Sequence, residues 1–221
     1  FNENGIWNNT AIGYESMTNI YDGHGNTAIG SSSLRDLSSG NYNISIGIKS
    51  SQSIINASYN TALGVESLYN NQSGNNNIAL GNKSSYNTNS DNNIAIGNES
   101  SFSNIYGTNN ISVGTESAYS NVSGTENISI GDYSLHSNDN SRNIAIGYNA
   151  LHDTKYNDNI GIGFNTAYKN VSGTDNINIG QYSSYNNEYG TENIAIGTNA
   201  LYSNDSSMNT AIGYNASYYN S

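Results

Sequence analysis

Branched and small residues alternate in a five-residue pattern that returns every 16 or 17 positions. It reads Asn, then Thr or Ile, then a small residue, then Ile, Leu or Val, then Gly. The closing glycines are Gly13, Gly30, Gly47, Gly64, Gly81, Gly97, Gly114, Gly131, Gly147, Gly163, Gly180, Gly197 and Gly213; eight of their spacings are 17 residues and four are 16. With this Gly as position zero, −1 is always aliphatic, −3 is always Thr or Ile, and −2 is Ala or Ser except at Gly161 and Asn178. Alternation with period two predicts a β-strand. Its branched face, −3 and −1, is expected to fill a core, and its small face to let another layer approach closely. A second short strand is predicted at +3 to +5, with Ser prevailing at +3 and an aromatic residue or His at +5 from the fourth copy on.

Repetition this regular predicts one unit stacked on itself. The expected fold is all-β: a parallel β-solenoid or β-roll of about 13 coils with 16–17 residues per coil, a single domain over residues 1–221. At about 4.8 Å per coil it would make a rod roughly 60 Å long. Stacking places like over like. Position −4 is Asn in every copy: Asn9, Asn26, Asn43, Asn60, Asn77, Asn93, Asn110, Asn127, Asn143, Asn159, Asn176, Asn193 and Asn209. These are expected to form a structural amide ladder. Seven of the eight 17-residue repeats carry Gly at +10, the eighth having Ala57, and the 16-residue repeats carry none. The longer corner is therefore expected to need a positive φ there.

Composition narrows the function. Seventeen Asp and Glu against six Lys and Arg give a net charge of −11. Such a surface repels nucleic acid and anionic membranes. No apolar run approaches the roughly 20 residues of a membrane span, so no membrane insertion is expected. Cysteine is absent, so neither disulfides nor thiolate chemistry arises. Proline is absent too, which suits unbroken β ladders. Asn supplies 44 residues, and bulk composition alone reads as disordered; register kept over thirteen repeats overrides that reading.

The unit Asn60-Thr61-Ala62-Leu63-Gly64-Val65-Glu66-Ser67-Leu68 resembles the head repeat of the YadA-like trimeric autotransporter adhesins, a repeat similar to those in phage and viral tail-fibre shafts. The resemblance spans the chain. It implies a left-handed β-roll, association as a homotrimer, and an extracellular role at a cell or virion surface. The adhesin repeat is commonly shorter, and the longer repeat here places its extra residues in the Asn- and Gly-rich corner.

No cofactor and no catalytic constellation is read from the chain. His136 and His152 share +5 in adjacent coils and are expected to stack; no third ligand of matching phase makes them a metal site. The acids are scattered, with Glu15, Glu66, Glu99 and Glu116 sharing +2, and a thin rod offers no cleft for paired carboxylates. Of the Asn-x-Ser/Thr sequons Asn43, Asn56, Asn71, Asn121 and Asn170, the loop residues Asn121 and Asn170 are the better glycan acceptors. The leading expectation is a structural, non-enzymatic fibre shaft or adhesin head, partnered by itself as a homotrimer or an end-to-end filament. The chain is expected to be a segment of a longer fibre protein. The alternative is a module that binds a host-surface glycan or protein through variable loops or a tyrosine column, of which Tyr168, Tyr185, Tyr202 and Tyr218 are the candidate surface.

Overall fold

The computed structural model describes residues 7–220. Thirteen three-residue strands, from Thr10–Ile12 to Thr210–Ile212, form one parallel sheet in chain order. Like pairs with like: Thr10 stands opposite Thr27, Ala11 opposite Ala28 and Ile12 opposite Ile29. Among the described residues there is no helix, and the chain is a β-solenoid of twelve turns between thirteen strands. The 16-residue coils leave register intact, as in Ile78 opposite Ile94. The Asn60 amide donates to the Gly74 carbonyl at 2.9 Å, and the Asn77 amide donates to the Ser90 carbonyl at 2.7 Å. Ser90 at +9 thus does the work of Gly at +10, so the residue lost from a short coil comes from the corner between +7 and +10.

Inside and outside of the strand are the reverse of expectation. Ala28, Ala62, Ala95, Ala145 and Ala195 at −2 are fully buried, whereas Ile12, Leu63, Ile96 and Ile130 at −1 are exposed. The cause is volume. Beside the −2 column stand the side chains of +3 and +4, as Ser33 Oγ donating to Ser45 Oγ at 2.9 Å shows, and a leucine at +4 leaves room there for little more than a methyl group; only Asn178 brings a larger side chain into the column, fully buried. At Gly161 even that is taken, since a Cβ there would lie 2.7 Å from Leu151 Cγ. Next to a +4 leucine such as Leu151 the −2 position has no space for an isoleucine, although the interior does hold Ile54 at +7.

The expected second strand is absent from +3 to +5. Its place is taken by backbone that turns left-handed at +2 and +4, as in Glu66 (φ 53°), Leu68 (φ 53°) and Leu34 (φ 48°). A strand would send consecutive side chains to opposite faces. The left-handed residue at +4 instead turns both +3 and +4 inward, and Ser33 and Leu34 are both fully buried. Hydrogen bonds between coils continue through this segment: Ser32 N–H donates to the Tyr14 carbonyl of the coil before at 2.8 Å, and Leu34 N–H to the Ser50 carbonyl of the coil after at 3.1 Å. The one further strand pairing, Ser203–Asn204 with Tyr219–Asn220, lies at +6 and +7.

Glycine at +10 is not in the left-handed region. It is there for proximity: a Cβ on Gly23 would lie 2.7 Å from the Gly40 carbonyl oxygen and 3.2 Å from Asn26 Nδ2. The positive φ at this corner falls one residue before the ladder asparagine, at Tyr42 (57°), Tyr59 (61°), Arg142 (59°) and Asp158 (63°).

The apolar core is discontinuous. One cluster runs from Met17 to Ala79, a second from Leu135 to Ala167 and a third from Ala195 to Ala211. Column +7 is partly buried at Ile20, fully buried from Leu37 to Asn204, and changes character along the rod. It begins as Ile20, Leu37 and Ile54 and continues as Asn71, Thr88, Asn104, Asn121 and Asn138. Between the first two clusters the interior is Ser, Thr and Asn apart from Ala95 and Ala118. Within that stretch Ser85, Thr88, Ser100 and Asn104 bury side-chain polar atoms without a protein partner.

Candidate functional site

Three side-chain columns run the length of the rod and follow from the sequence repeat. The first is the asparagine ladder. At each of its twelve steps the backbone N–H of one ladder asparagine donates to the side-chain oxygen of the one below, at 2.8–3.2 Å. Several steps add an amide-to-amide bond, as from Asn43 Nδ2 to Asn26 Oδ1 at 3.0 Å. The amide also reaches the corner of the next coil, where Asn43 Nδ2 donates to the Ala57 carbonyl at 2.8 Å. The left-handed residue at −5 turns the chain just before the strand. The asparagine then supplies, from a side chain, the acceptor for the N–H that follows this turn.

The second column is aromatic. Tyr69, Tyr86, Phe102, Tyr119, His136, His152, Tyr168, Tyr185, Tyr202 and Tyr218 stack nearly parallel, with centroids 4.7–5.4 Å apart. The candidate surface of Tyr168, Tyr185, Tyr202 and Tyr218 belongs to this stack. Each ring face meets the next ring, and the edges are what the column offers to solvent. Desolvation, the largest cause, raises the phenols of Tyr86, Tyr119, Tyr168 and Tyr202 above their ordinary value; for Tyr168 the Asp153 carboxylate adds to it. His136 and His152 lie in the stack with centroids 4.9 Å apart. His136 Nε2 contacts Glu116 Oε2 at 3.1 Å and His152 Nδ1 contacts Asp153 Oδ1 at 2.8 Å. Among the described residues no three His, Asp or Glu side chains gather to hold a metal ion.

The third column is the outward strand face, which sequence reasoning placed indoors. Positions −3 and −1 form two parallel files of Ile, Leu, Val and Thr along the whole sheet. Ile44, Leu63, Ile78, Ile96, Ile130, Ile146 and Ile179 are each more than a third exposed. The signal that could have shown this was the small volume at −2 set against the leucines of +4.

The loop sequons prove unsuitable for glycans. Asn121 and Asn170 sit in column +7, fully buried. Asn121 Nδ2 donates to the Gly124 carbonyl at 3.0 Å, and Gly173 N–H donates to Asn170 Oδ1 at 3.0 Å. Asn43 and Asn71 are equally buried, and of the five named only Asn56 reaches solvent. Comparison with family models, with curated proteins and with solved structures returns no match for this chain.

Proposed function

We propose that this chain is a structural, non-enzymatic building block of an extracellular fibre, the shaft or head of an attachment device at a cell or virion surface. The observation that carries the reading is the outward aliphatic face. Contiguous exposed apolar surface beyond a few hundred Å² marks an interface in soluble proteins, and here two files, aliphatic except at Thr10, Thr27, Thr61 and Thr210, run along the thirteen-stranded sheet. The partner that matches such a periodic face over its full length is another face of the same period. The proposed partner is therefore a second and third copy of the chain, in keeping with the homotrimer that the resemblance to YadA-like head repeats implies. Three rods packed on their Ile files would bury what each leaves exposed and give a stiff shaft, with corners and aromatic columns facing outward for attachment to a host-surface glycan or protein.

Sedimentation or light scattering tests this directly. The chain is expected to run at three times its monomer mass. Replacing Ile128, Ile130, Ile144 and Ile146 by Ser is expected to shift it toward monomer with the β spectrum kept. A wild-type chain that stays monomeric at micromolar concentration overturns the reading; a species that grows without limit replaces the trimer with the filament.

A further inference from the structure

One corner departs from the residue pattern of the coils that follow it. At −6 the column is small and polar: Asn41, Ser58, Asn75 and Asp91 each use a side-chain oxygen to accept the N–H one coil below, at 2.6–3.0 Å. The first two coils carry Trp7 and His24 in this column instead. Neither ring accepts a backbone N–H among the described residues, while the regular backbone bond of the corner is kept, Gly25 N–H donating to the Trp7 carbonyl at 3.0 Å as Tyr42 N–H does to the His24 carbonyl. The adjoining column, −5, is left-handed throughout, and Gly25 (φ 69°) is its only glycine. Its bareness has a use: a Cβ there would lie 2.6 Å from Tyr42 Cδ1, so the Tyr42 ring sits over the Gly25 backbone. The His24 ring meets Tyr42 edge-on at 5.8 Å, and Tyr42 stacks on Tyr59 at 5.3 Å. Three departures at neighbouring positions thus open a cleft of about 330 Å³ lined by Trp7, Asn8, His24, Gly25 and Tyr42. Trp7 is the only tryptophan of the chain and is 60% exposed.

We propose that this cleft binds a neutral pyranose sugar. The C–H face of a pyranose packs on an aromatic ring, and amphipathic rings with a nearby polar handle suit such a ligand. Unlike the rings of the long stack, Trp7 has no stacked neighbour among the described residues. The Asn8 amide and the His24 imidazole make no side-chain hydrogen bond among the described residues and stand at the cleft to meet hydroxyl groups. No Lys or Arg lines it, and the net charge of −11 works against an anionic ligand. Ligand clefts span roughly 300–1,000 Å³, so this one suits one or two sugar rings. The site lies within one chain and stands whether or not chains associate.

Trp7 makes the test direct, because all tryptophan emission comes from the site. The intact chain is titrated with the methyl glycosides of glucose, galactose and N-acetylglucosamine, with choline chloride as a cationic probe of the same aromatic rings. At least one sugar is expected to give a saturable change in emission with a millimolar dissociation constant. Tyr42→Ala and His24→Asn, the second restoring a residue type native to the column, are each expected to weaken it about tenfold or more with circular dichroism unchanged. Tyr202→Ala, in the distant stack, is expected to leave it intact. No saturable change with any of the sugars up to about 100 mM, an unaltered titration in Tyr42→Ala, or saturation by choline in place of sugar overturns the proposal. Light scattering on the same samples reads the fibre hypothesis separately.

Discussion

At the residue scale the ladder asparagine shows why one side chain recurs in every coil. It must accept from a backbone N–H of the coil above, donate to a carbonyl at the corner, and fit a buried slot beside a close backbone approach. Asn110 does all of this: Oδ1 accepts from Asn127 N–H at 2.9 Å, and Nδ2 donates to Gly124 O at 2.8 Å and Asn93 Oδ1 at 3.2 Å. Alanine would strand a buried N–H and a buried carbonyl. Asn110→Ala is expected to cost about 1–3 kcal/mol, read as a lower urea midpoint; a change within error would mean water replaces the amide. Backbone strain is a second local debt, since a left-handed non-glycine residue costs roughly 1–2 kcal/mol. Leu34, Leu68, Leu135, Leu151 and Leu201 all sit in that conformation while fully buried. The inter-coil hydrogen bonds and the inward leucine side chain hold them there.

At the element scale, each coil is held by columns rather than by a strand-to-strand core. Column +7 offers a clean experiment. Leu37 and Ile54 show that an aliphatic side chain fits it, yet Thr88 and Asn104 place unpartnered polar atoms in the same column. Thr88→Val keeps the shape and removes the orphan hydroxyl, so it is expected to raise stability by about 1 kcal/mol. Unchanged or lower stability would show that an internal water serves the hydroxyl. The aromatic column gives a pH signature. Burial raises the phenols of Tyr86, Tyr119, Tyr168 and Tyr202, so the folded state holds these protons more tightly than the unfolded chain does. The stability tied to them is fully present below the ordinary phenol value of about 10 and is lost as pH rises through the raised value. Absorbance at the phenolate band is expected to lag behind that of free tyrosine, then to rise together with loss of the β spectrum. A titration like that of free tyrosine, with the fold intact, would show that the rings are more hydrated than their stacking implies.

At the scale of the whole molecule, every coil touches only its neighbours, so stability accumulates coil by coil. Excising residues 110–126, one complete 17-residue period from one ladder asparagine to the next, is expected to leave a folded, shorter rod. Its denaturation midpoint should fall by a modest increment, followed by circular dichroism in urea. Complete unfolding would reveal a global core that the three separate clusters do not suggest. The outward Ile files belong to this scale as well. No single isoleucine calls for a partner, but two files along thirteen strands leave one face of the whole rod apolar.

The repeat by itself determined the parallel stack, its register, the asparagine ladder and the ring column. The reason is that stacking similar units turns one-dimensional recurrence into vertical contact, so that Asn at −4 meets Asn and a ring at +5 meets another ring. The hand of the backbone at +2 and +4 was not legible, because Leu34 and Glu66 carry no mark of a left-handed residue and adopt it only under the pull of neighbouring coils. The direction of the strand faces was equally hidden: alternation says that Ile and Ala point opposite ways, and only the volume left by Leu151 and its equivalents says which way is in. The cleft of Trp7, His24 and Tyr42 required both. Its residues are visible as oddities in their columns, but only the turn at Gly25 brings three coils' rings to one place.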